Sequence, residues 1–124
     1  MSTTTKNAYA SYELIDGILH ITYAKDVILD LPAALYVVKD RLKMHEGRYF
    51  PVLCDIRCIK EINKAARSYL SVEGSTLIKA VAFIVESPVS EMLSEFYLRT
   101  SKPPIPNESF NTIESALKFL NQYR

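Results

Sequence analysis

Two short and nearly continuous apolar runs constrain the fold more than any other feature of this sequence. They are Phe50–Asp55 (FPVLCD) and residues 79–85 (KAVAFIV). Each run lacks polar alternation and is far shorter than the about 20 residues of a membrane helix, which is typical of a strand covered on both faces. Helix-like segments separate and follow the two runs. This alternation predicts right-handed crossovers and a largely parallel central sheet.

Residues 12–23, ahead of these runs, have the pattern of a β-hairpin. Asp16-Gly17 is a favoured two-residue turn, because both central positions of a type I′ turn need positive φ. Closing the chain at this turn places four apolar side chains on one face: Tyr12, Leu14, Leu19 and Ile21. Glu13 and His20 then share the other face, where we expect a solvated cross-strand pair.

The first predicted helix covers residues 31–45. Asp30 is the expected N-cap, Pro32 fits the first turn, and Gly47 suits the stop after the last turn. Spacings of three, four and seven residues predict one apolar stripe: Leu31, Ala34, Leu35, Val38 and Leu42. The charged side chains of the helix are then expected mainly in solvent: Lys39, Arg41, Lys43 and Glu46.

Three further helices are predicted. One covers about residues 62–71, the next begins at Ser87-Pro88, and the last follows a capping-box spacing at Asn111 and Glu114. A short edge strand is expected near residues 105–110. The predicted fold is therefore α/β, a single domain over residues 9–124 after a flexible N-terminus (1–8), with a mixed, mostly parallel sheet of about five strands and four helices.

Composition and charge narrow the classes of function. The 124 residues carry 15 Lys and Arg against 14 Asp and Glu, a net charge of +1, which argues against dependence on nucleic acid or an anionic membrane. The first residues have no apolar core of a signal peptide, so we expect a cytoplasmic protein without membrane insertion. Cys54 and Cys58, with His20 and His45 far away in sequence, follow no metal-ligand spacing. We expect reduced thiols and no metal or other cofactor.

The chain resembles the SpoIIAA-like superfamily, which includes the STAS regulatory domains. The resemblance covers about residues 9–123 and rests on the hairpin, on Leu53-Cys-Asp-Ile-Arg57, on the strand over 80–85 and on the closing segment 110–120. Asp55-Ile-Arg57 followed by Ala65-Ala-Arg67 is also similar to a small bacterial family of this fold with no assigned activity.

This resemblance implies a regulatory or protein-interaction module. In anti-sigma-factor antagonists of the STAS type, a phosphorylatable Ser lies where the helix after the central strand begins. The matching stretch here, residues 59–65 (IKEINKA), contains no Ser, Thr or Gly. The phosphorylation switch of those relatives is therefore not carried over to this chain.

One candidate site is an anion-binding rim beyond the carboxyl ends of the two buried strands, where α/β sheets tend to bind ligands. Asp55, Arg57 and Lys60 follow the first strand and Ser87 follows the second. The start of the Ser87 helix would add free N–H groups. The alternative is structural: Asp55 pairs with Arg57 or Arg67 to fasten the loop, and Ser87 only caps its helix.

A second candidate is an interface on the helix that begins at Ser87. Met92, Phe96 and Tyr97 could line an apolar pocket or a dimer face, since aromatic residues and Met are enriched in interfaces. At helical spacing such residues also form ordinary core. We expect a homodimer on this basis, and a protein partner is a further prediction.

No catalytic motif is found. The three glycines are far apart, at 17, 47 and 74, so no phosphate-binding Gly-rich loop and no Gly-x-Ser-x-Gly nucleophile turn occurs. The leading prediction is a non-enzymatic regulatory or protein-interaction module. The alternative is a domain that binds a small apolar or anionic ligand.

Overall fold

Eight strands lie in the parts of the chain that the computed structural model describes, residues 3–86 and 104–124. They are β1 (Thr3–Lys6), β2 (Ala10–Ile15), β3 (Ile18–Tyr23), β4 (Val27–Leu29), β5 (Phe50–Asp55), β6 (Ile59–Ile62), β7 (Ile78–Ile84) and β8 (Asn107–Phe110). Six of them form one sheet in the order β1-β2-β3-β5-β7-β8, and β4 pairs with β6 in a small second sheet. β1, β2 and β3 are antiparallel neighbours, whereas β3, β5, β7 and β8 run parallel.

Three α-helices accompany the strands in the described ranges: α1 (Leu31–His45), α2 (Lys64–Val72) and α3 (Ile113–Leu120). Short 3₁₀ turns follow α2 and α3 at Glu73–Ser75 and Asn121–Tyr123. No helix within these ranges is long and apolar enough to cross a bilayer. The helix expected from Ser87 onwards lies outside the described residues.

The hairpin is confirmed, with its predicted register. Tyr12 pairs with Ile21 and Leu14 with Leu19, while Glu13 faces His20 on the opposite side of the sheet. Asp16 and Gly17 have φ of 49° and 79°, the left-handed values that a type I′ turn requires. A local turn signal and period-two alternation were therefore sufficient to fix this element.

The six-stranded sheet is covered on both faces, but unequally. α1 and α2 cover the first face, where the main core includes Tyr12, Leu19, Ile21, Val52, Val81 and Phe83. α3 covers the second face over β5 and β7, where the smaller core includes Ile18, Leu53, Ala80, Ala82, Ala116 and Leu120. This double coverage explains why β5 and β7 are almost entirely apolar while β2 and β3 alternate.

Three strands were not expected from the sequence. Residues 3–6, predicted within a flexible N-terminus, form β1, and the pairing of β4 with β6 adds a second sheet. The β1 sequence is TTTK and β4 has three residues, so neither offers an apolar pattern long enough to recognise. The main sheet consequently has six strands instead of about five.

Two predicted helix starts need correction by one or two residues. Ile62 belongs to β6, and α2 begins at Lys64 because the Asn63 side chain accepts a hydrogen bond from the Ala66 N–H at 2.8 Å. The N-cap of α3 is Thr112, whose hydroxyl accepts from the Ser115 N–H at 3.1 Å. The predicted pair of Asn111 and Glu114 was therefore wrong by one position.

The buried face of α1 is rotated from the predicted stripe. Leu31 and Leu35 are 38% and 45% exposed. Ala34 and Val38 of the predicted stripe are buried as expected, and the rest of the buried face consists of Ala33, Val37, Arg41, Met44 and His45. The prediction that Arg41 lies in solvent was wrong, since this residue is 2% exposed. Small side chains at 33 and 34 allow this face to approach the sheet closely, and Arg41 follows in the same phase.

Candidate binding site

An apolar cavity of about 90 Å³ lies between the first face of the sheet and helices α1 and α2. Its walls come from β3, β5 and β7 below, from the β4–β6 pair at one side, and from the two helices. Representative lining residues are Ile21, Val52, Val81, Leu29, Ile62 and Val38. For scale, an apolar cavity of about 150 Å³ binds benzene or xenon. The space here is partly open, so a small apolar group fits inside it and the rest of a longer guest extends beyond it.

Arg41 is the one formally charged side chain among the described residues that line this cavity. Its guanidinium donates three hydrogen bonds. Nη1 donates to His45 Nε2 at 2.7 Å and to the Thr76 carbonyl at 3.0 Å, and Nη2 donates to the Gly74 carbonyl at 3.0 Å. Arg41 thereby ties α1 to the loop that follows α2.

His45 is fully buried beside Arg41 and is held as a neutral acceptor. An arginine can only donate, so Nε2 of His45 accepts, and Nδ1 carries the proton that it donates to the Arg48 carbonyl at 3.0 Å. Burial lowers the pKa of His45 to about 4, the hydrogen bond to Arg48 opposes this shift, and the Arg41 charge adds to it.

The positive charge of Arg41 has no carboxylate partner in the described parts of the chain. The ion pairs found there join Lys43 to Asp40 and Arg57 to Asp55. Burial lowers the pKa of Arg41 to about 10, so the group stays charged at neutral pH. A buried cation is ordinarily paired with an anion, because desolvation of an unpaired charge is costly.

Two titratable groups near Arg41, Cys54 and Tyr12, are neutral at physiological pH. Burial raises the pKa of the Cys54 thiol to about 12, and it also raises the pKa of Tyr12 to about 12. The Tyr12 hydroxyl donates to the Val37 carbonyl at 3.2 Å. The cavity therefore combines apolar walls with one cation whose charge is not compensated by the described residues.

Sequence reasoning missed Arg41, although a signal was present. Arg41 lies seven residues after Ala34, four after Val37 and three after Val38, which is the spacing of one helix face. The predicted stripe instead followed the larger leucines on the neighbouring face of α1. The cavity itself has no local sequence signal, because its walls come from five strands, two helices and the turns beside them.

The predicted anion rim is partly assembled. β5 and β7 are adjacent and parallel, as that hypothesis required. Arg57 pairs with Asp55 through two hydrogen bonds, from Nε at 2.9 Å and from Nη2 at 2.7 Å. The Arg57 backbone N–H also donates to Asp55, at 3.1 Å. Lys60 is exposed on β6. This ion pair matches the structural alternative, and the rim stays a prediction.

Four predicted site residues lie outside the described ranges: Ser87, Met92, Phe96 and Tyr97. The anion-binding role of Ser87 and the interface role of the other three therefore stay predictions. Of the two free cysteines, Cys54 is buried and Cys58 is exposed. Within residues 3–86 and 104–124, no group of three or more His, Cys, Asp or Glu side chains is placed to hold a metal ion.

The architecture defines the class of protein. It is similar to the crystal structure of an uncharacterised protein from the DUF3478 family of Shewanella loihica PV-4, which has a SpoIIAA-like fold. The TM-score is 0.56 at 15% identity, over 97% of this chain and 92% of that chain. The predicted SpoIIAA-like fold is thus confirmed, and at this identity the likeness shows the fold alone.

The chain belongs to the DUF7793 family, a domain of unknown function, whose match covers residues 12–124. A protein of unknown function from Arthrobacter sp. FB24 aligns over 90% of this chain and 92% of that chain, at 20% identity with a TM-score of 0.35. A comparison with curated proteins gave no match.

Proposed function

We propose that this protein is a non-enzymatic binding module that takes up a small, mainly apolar molecule between its sheet and helices α1 and α2. The observation that carries the proposal is the cavity of about 90 Å³ with almost wholly apolar walls. Protein interiors are packed like organic crystals and hold few voids larger than a water molecule. An apolar cavity of this size favours an apolar guest over water.

The energetic cost of the cavity supports a role beyond folding. Side chains that line open space lack the packing contacts that a filled core would give them, which lowers stability. Replacing one lining side chain by a larger one would remove much of that cost. A guest that restores the missing contacts would recover it on binding.

The proposal is tested with two uncharged probes, xenon and hexanamide, added to protein labelled at its Ile, Leu and Val methyl groups. We expect NMR shifts at Ile21, Val52 and Leu29, which line the cavity, and none at Ile84 or Leu120, which lie in the other core. Saturable shifts confined to the first group would support the proposal. Absence of shifts with both probes would contradict it.

A matched pair of variants sharpens this test. Val81→Phe enlarges a side chain that lines the cavity, whereas Leu53→Phe enlarges one that faces α3 on the opposite side of the sheet. Overpacking costs Leu53→Phe about 1–3 kcal/mol, whereas Val81→Phe extends into the open space and should cost less. We expect Val81→Phe to abolish hexanamide binding and Leu53→Phe to retain it. Equal binding by the two variants would place the guest elsewhere.

A protein-interaction module that self-associates is the second candidate function, and exposed apolar side chains on α1 favour it. Leu31 and Leu35 are one turn apart and are 38% and 45% exposed, and the neighbouring Tyr36 is 54% exposed. The expected partner is a second copy of the chain.

Sedimentation should then show a dimer that Leu35→Glu dissociates. The matched change Val72→Glu, at an exposed position on α2, should leave the dimer intact, and a monomeric wild type would contradict this candidate.

A further inference from the structure

We propose that Arg41 is the polar anchor of the cavity, and that it selects ligands in which a carboxylate is joined to a short apolar body. This inference rests on the proposed binding function and names the chemical class of its ligand. It requires three things of Arg41: N–H groups that are still available, a position facing the cavity, and a charge that the described residues leave unbalanced.

The guanidinium of Arg41 has N–H groups that are available to a ligand. It carries five N–H donors, and the described residues accept three hydrogen bonds from it, all through Nη1 and Nη2. The Nε–H and one N–H of Nη2 therefore have no acceptor among those residues. Arg57 uses the same two atoms, Nε and Nη2, to hold the Asp55 carboxylate at 2.9 and 2.7 Å. A ligand carboxylate on Arg41 would repeat an arrangement that this chain already contains.

The available N–H groups lie at the cavity. Arg41 is among the residues that line it, and only 2% of the residue is exposed. Every fully buried side-chain nitrogen or oxygen in the described ranges has a hydrogen-bond partner. The unbonded Nε–H is therefore not enclosed completely by the core, and we assign it to the cavity that Arg41 lines.

The charge balance selects an anion. The three acceptors of Arg41 are an imidazole nitrogen and two backbone carbonyls, which satisfy N–H groups but carry no negative charge, and no carboxylate of residues 3–86 or 104–124 pairs with it. These bonds also fix the guanidinium in one orientation, so little rotamer freedom is lost when a ligand binds. The apolar walls strengthen the attraction between Arg41 and a carboxylate, because they exclude water.

The test compares hexanoate with hexanamide, which have the same chain and nearly the same shape but differ in charge. We expect the wild-type protein to bind hexanoate at least about tenfold more tightly than hexanamide. In Arg41→Met this preference should disappear while hexanamide still binds. The control Lys39→Met removes one charge from an exposed position of the same helix and should keep the preference.

The possible outcomes separate this inference from the proposed function. Equal wild-type affinity for the two probes would overturn the role of Arg41 and leave apolar binding intact. Binding of neither probe would overturn both. Should Arg41→Met fail to fold, the wild type itself decides, because hexanoate should shift the Arg41 Nε–H resonance and hexanamide should leave it nearly unchanged. An Nε–H resonance unmoved by hexanoate would refute the anchor.

Discussion

At the residue scale, His45 makes the stability of the fold depend on pH. Burial lowers its pKa to about 4 in the folded protein, against 6.5 for an ordinary histidine. As the pH falls, the unfolded chain therefore gains a proton before the folded protein does, and the free energy of unfolding decreases. We expect the contribution of His45 to be complete above pH 6.5 and to decline by about 3 kcal/mol between pH 6.5 and about 4.

Urea denaturation across this pH range measures the effect. His45→Gln removes the titration and keeps an amide oxygen to accept from Arg41, so its unfolding free energy should fall less steeply than that of the wild type. His20→Gln is the comparison variant: burial also lowers the pKa of His20, and Glu13 opposes that shift. A wild-type slope retained in His45→Gln would show that this residue is not the source.

Replacing Arg57 distinguishes the predicted anion-binding rim from the structural alternative, in which Arg57 only pairs with Asp55. Its side chain is one-third exposed and its pKa is raised chiefly by the hydrogen bonds that it donates to Asp55. Because surface ion pairs contribute about 0–1 kcal/mol, we expect Arg57→Ala to lower the unfolding free energy by less than about 1 kcal/mol. The melting temperature is also measured with phosphate. A phosphate-dependent rise that Arg57→Ala abolishes would favour the rim, and no rise would favour the ion pair alone.

The contrast between Arg41 and Arg57 shows where residue-level prediction reaches its limit. Asp55 and Arg57 are two residues apart, so their pairing could be anticipated from sequence. Arg41 is held by carbonyls of residues 74 and 76, more than 30 positions away. Burial of an arginine depends on such distant acceptors, and helical phase alone does not reveal them.

At the element scale, side-chain caps decide where helices α1 and α2 begin. Asp30 accepts from the Ala33 N–H at 2.9 Å, and N-cap replacement by Ala costs about 1 kcal/mol. We expect Asp30→Ala to lower the unfolding free energy by about that amount. Glu61→Ala, on the exposed side of β6, should change it by less than about 0.5 kcal/mol. Equal effects in denaturant titrations would mean that the cap is not what stabilises the helix start.

Local signals also explain which elements the sequence reveals. α1 has a cap and a stop signal, and the hairpin has a turn whose residues favour positive φ, so both are predictable. The pairing of β4 with β6 has neither signal, since each strand has three or four residues and their partners come from distant segments. Leu29, Ile59 and Ile62 from this pair line the cavity. The candidate site was therefore not predictable from the sequence, because part of its wall comes from the elements that are hardest to predict.

At the scale of the whole molecule, the sheet separates two cores that should respond differently to truncation. Leu29 lines the cavity and is 1% exposed, whereas Leu120 is fully buried against the opposite face. Each Leu→Ala change removes a similar number of buried carbon atoms and should cost about 2–5 kcal/mol. The loss of stability therefore does not distinguish the two positions, but the effect of each change on the preferred size of the ligand does.

Leu29→Ala enlarges the cavity, so we expect it to favour octanamide over hexanamide more strongly than the wild type does. Leu120→Ala leaves the cavity walls in place and should keep the wild-type ratio of the two affinities. Methyl NMR titrations with both amides give this ratio for each folded variant. If the ratio changes equally in both variants, the ligand responds to general loosening of the fold. If it changes only in Leu29→Ala, the guest lies beside β4, between the sheet and helices α1 and α2.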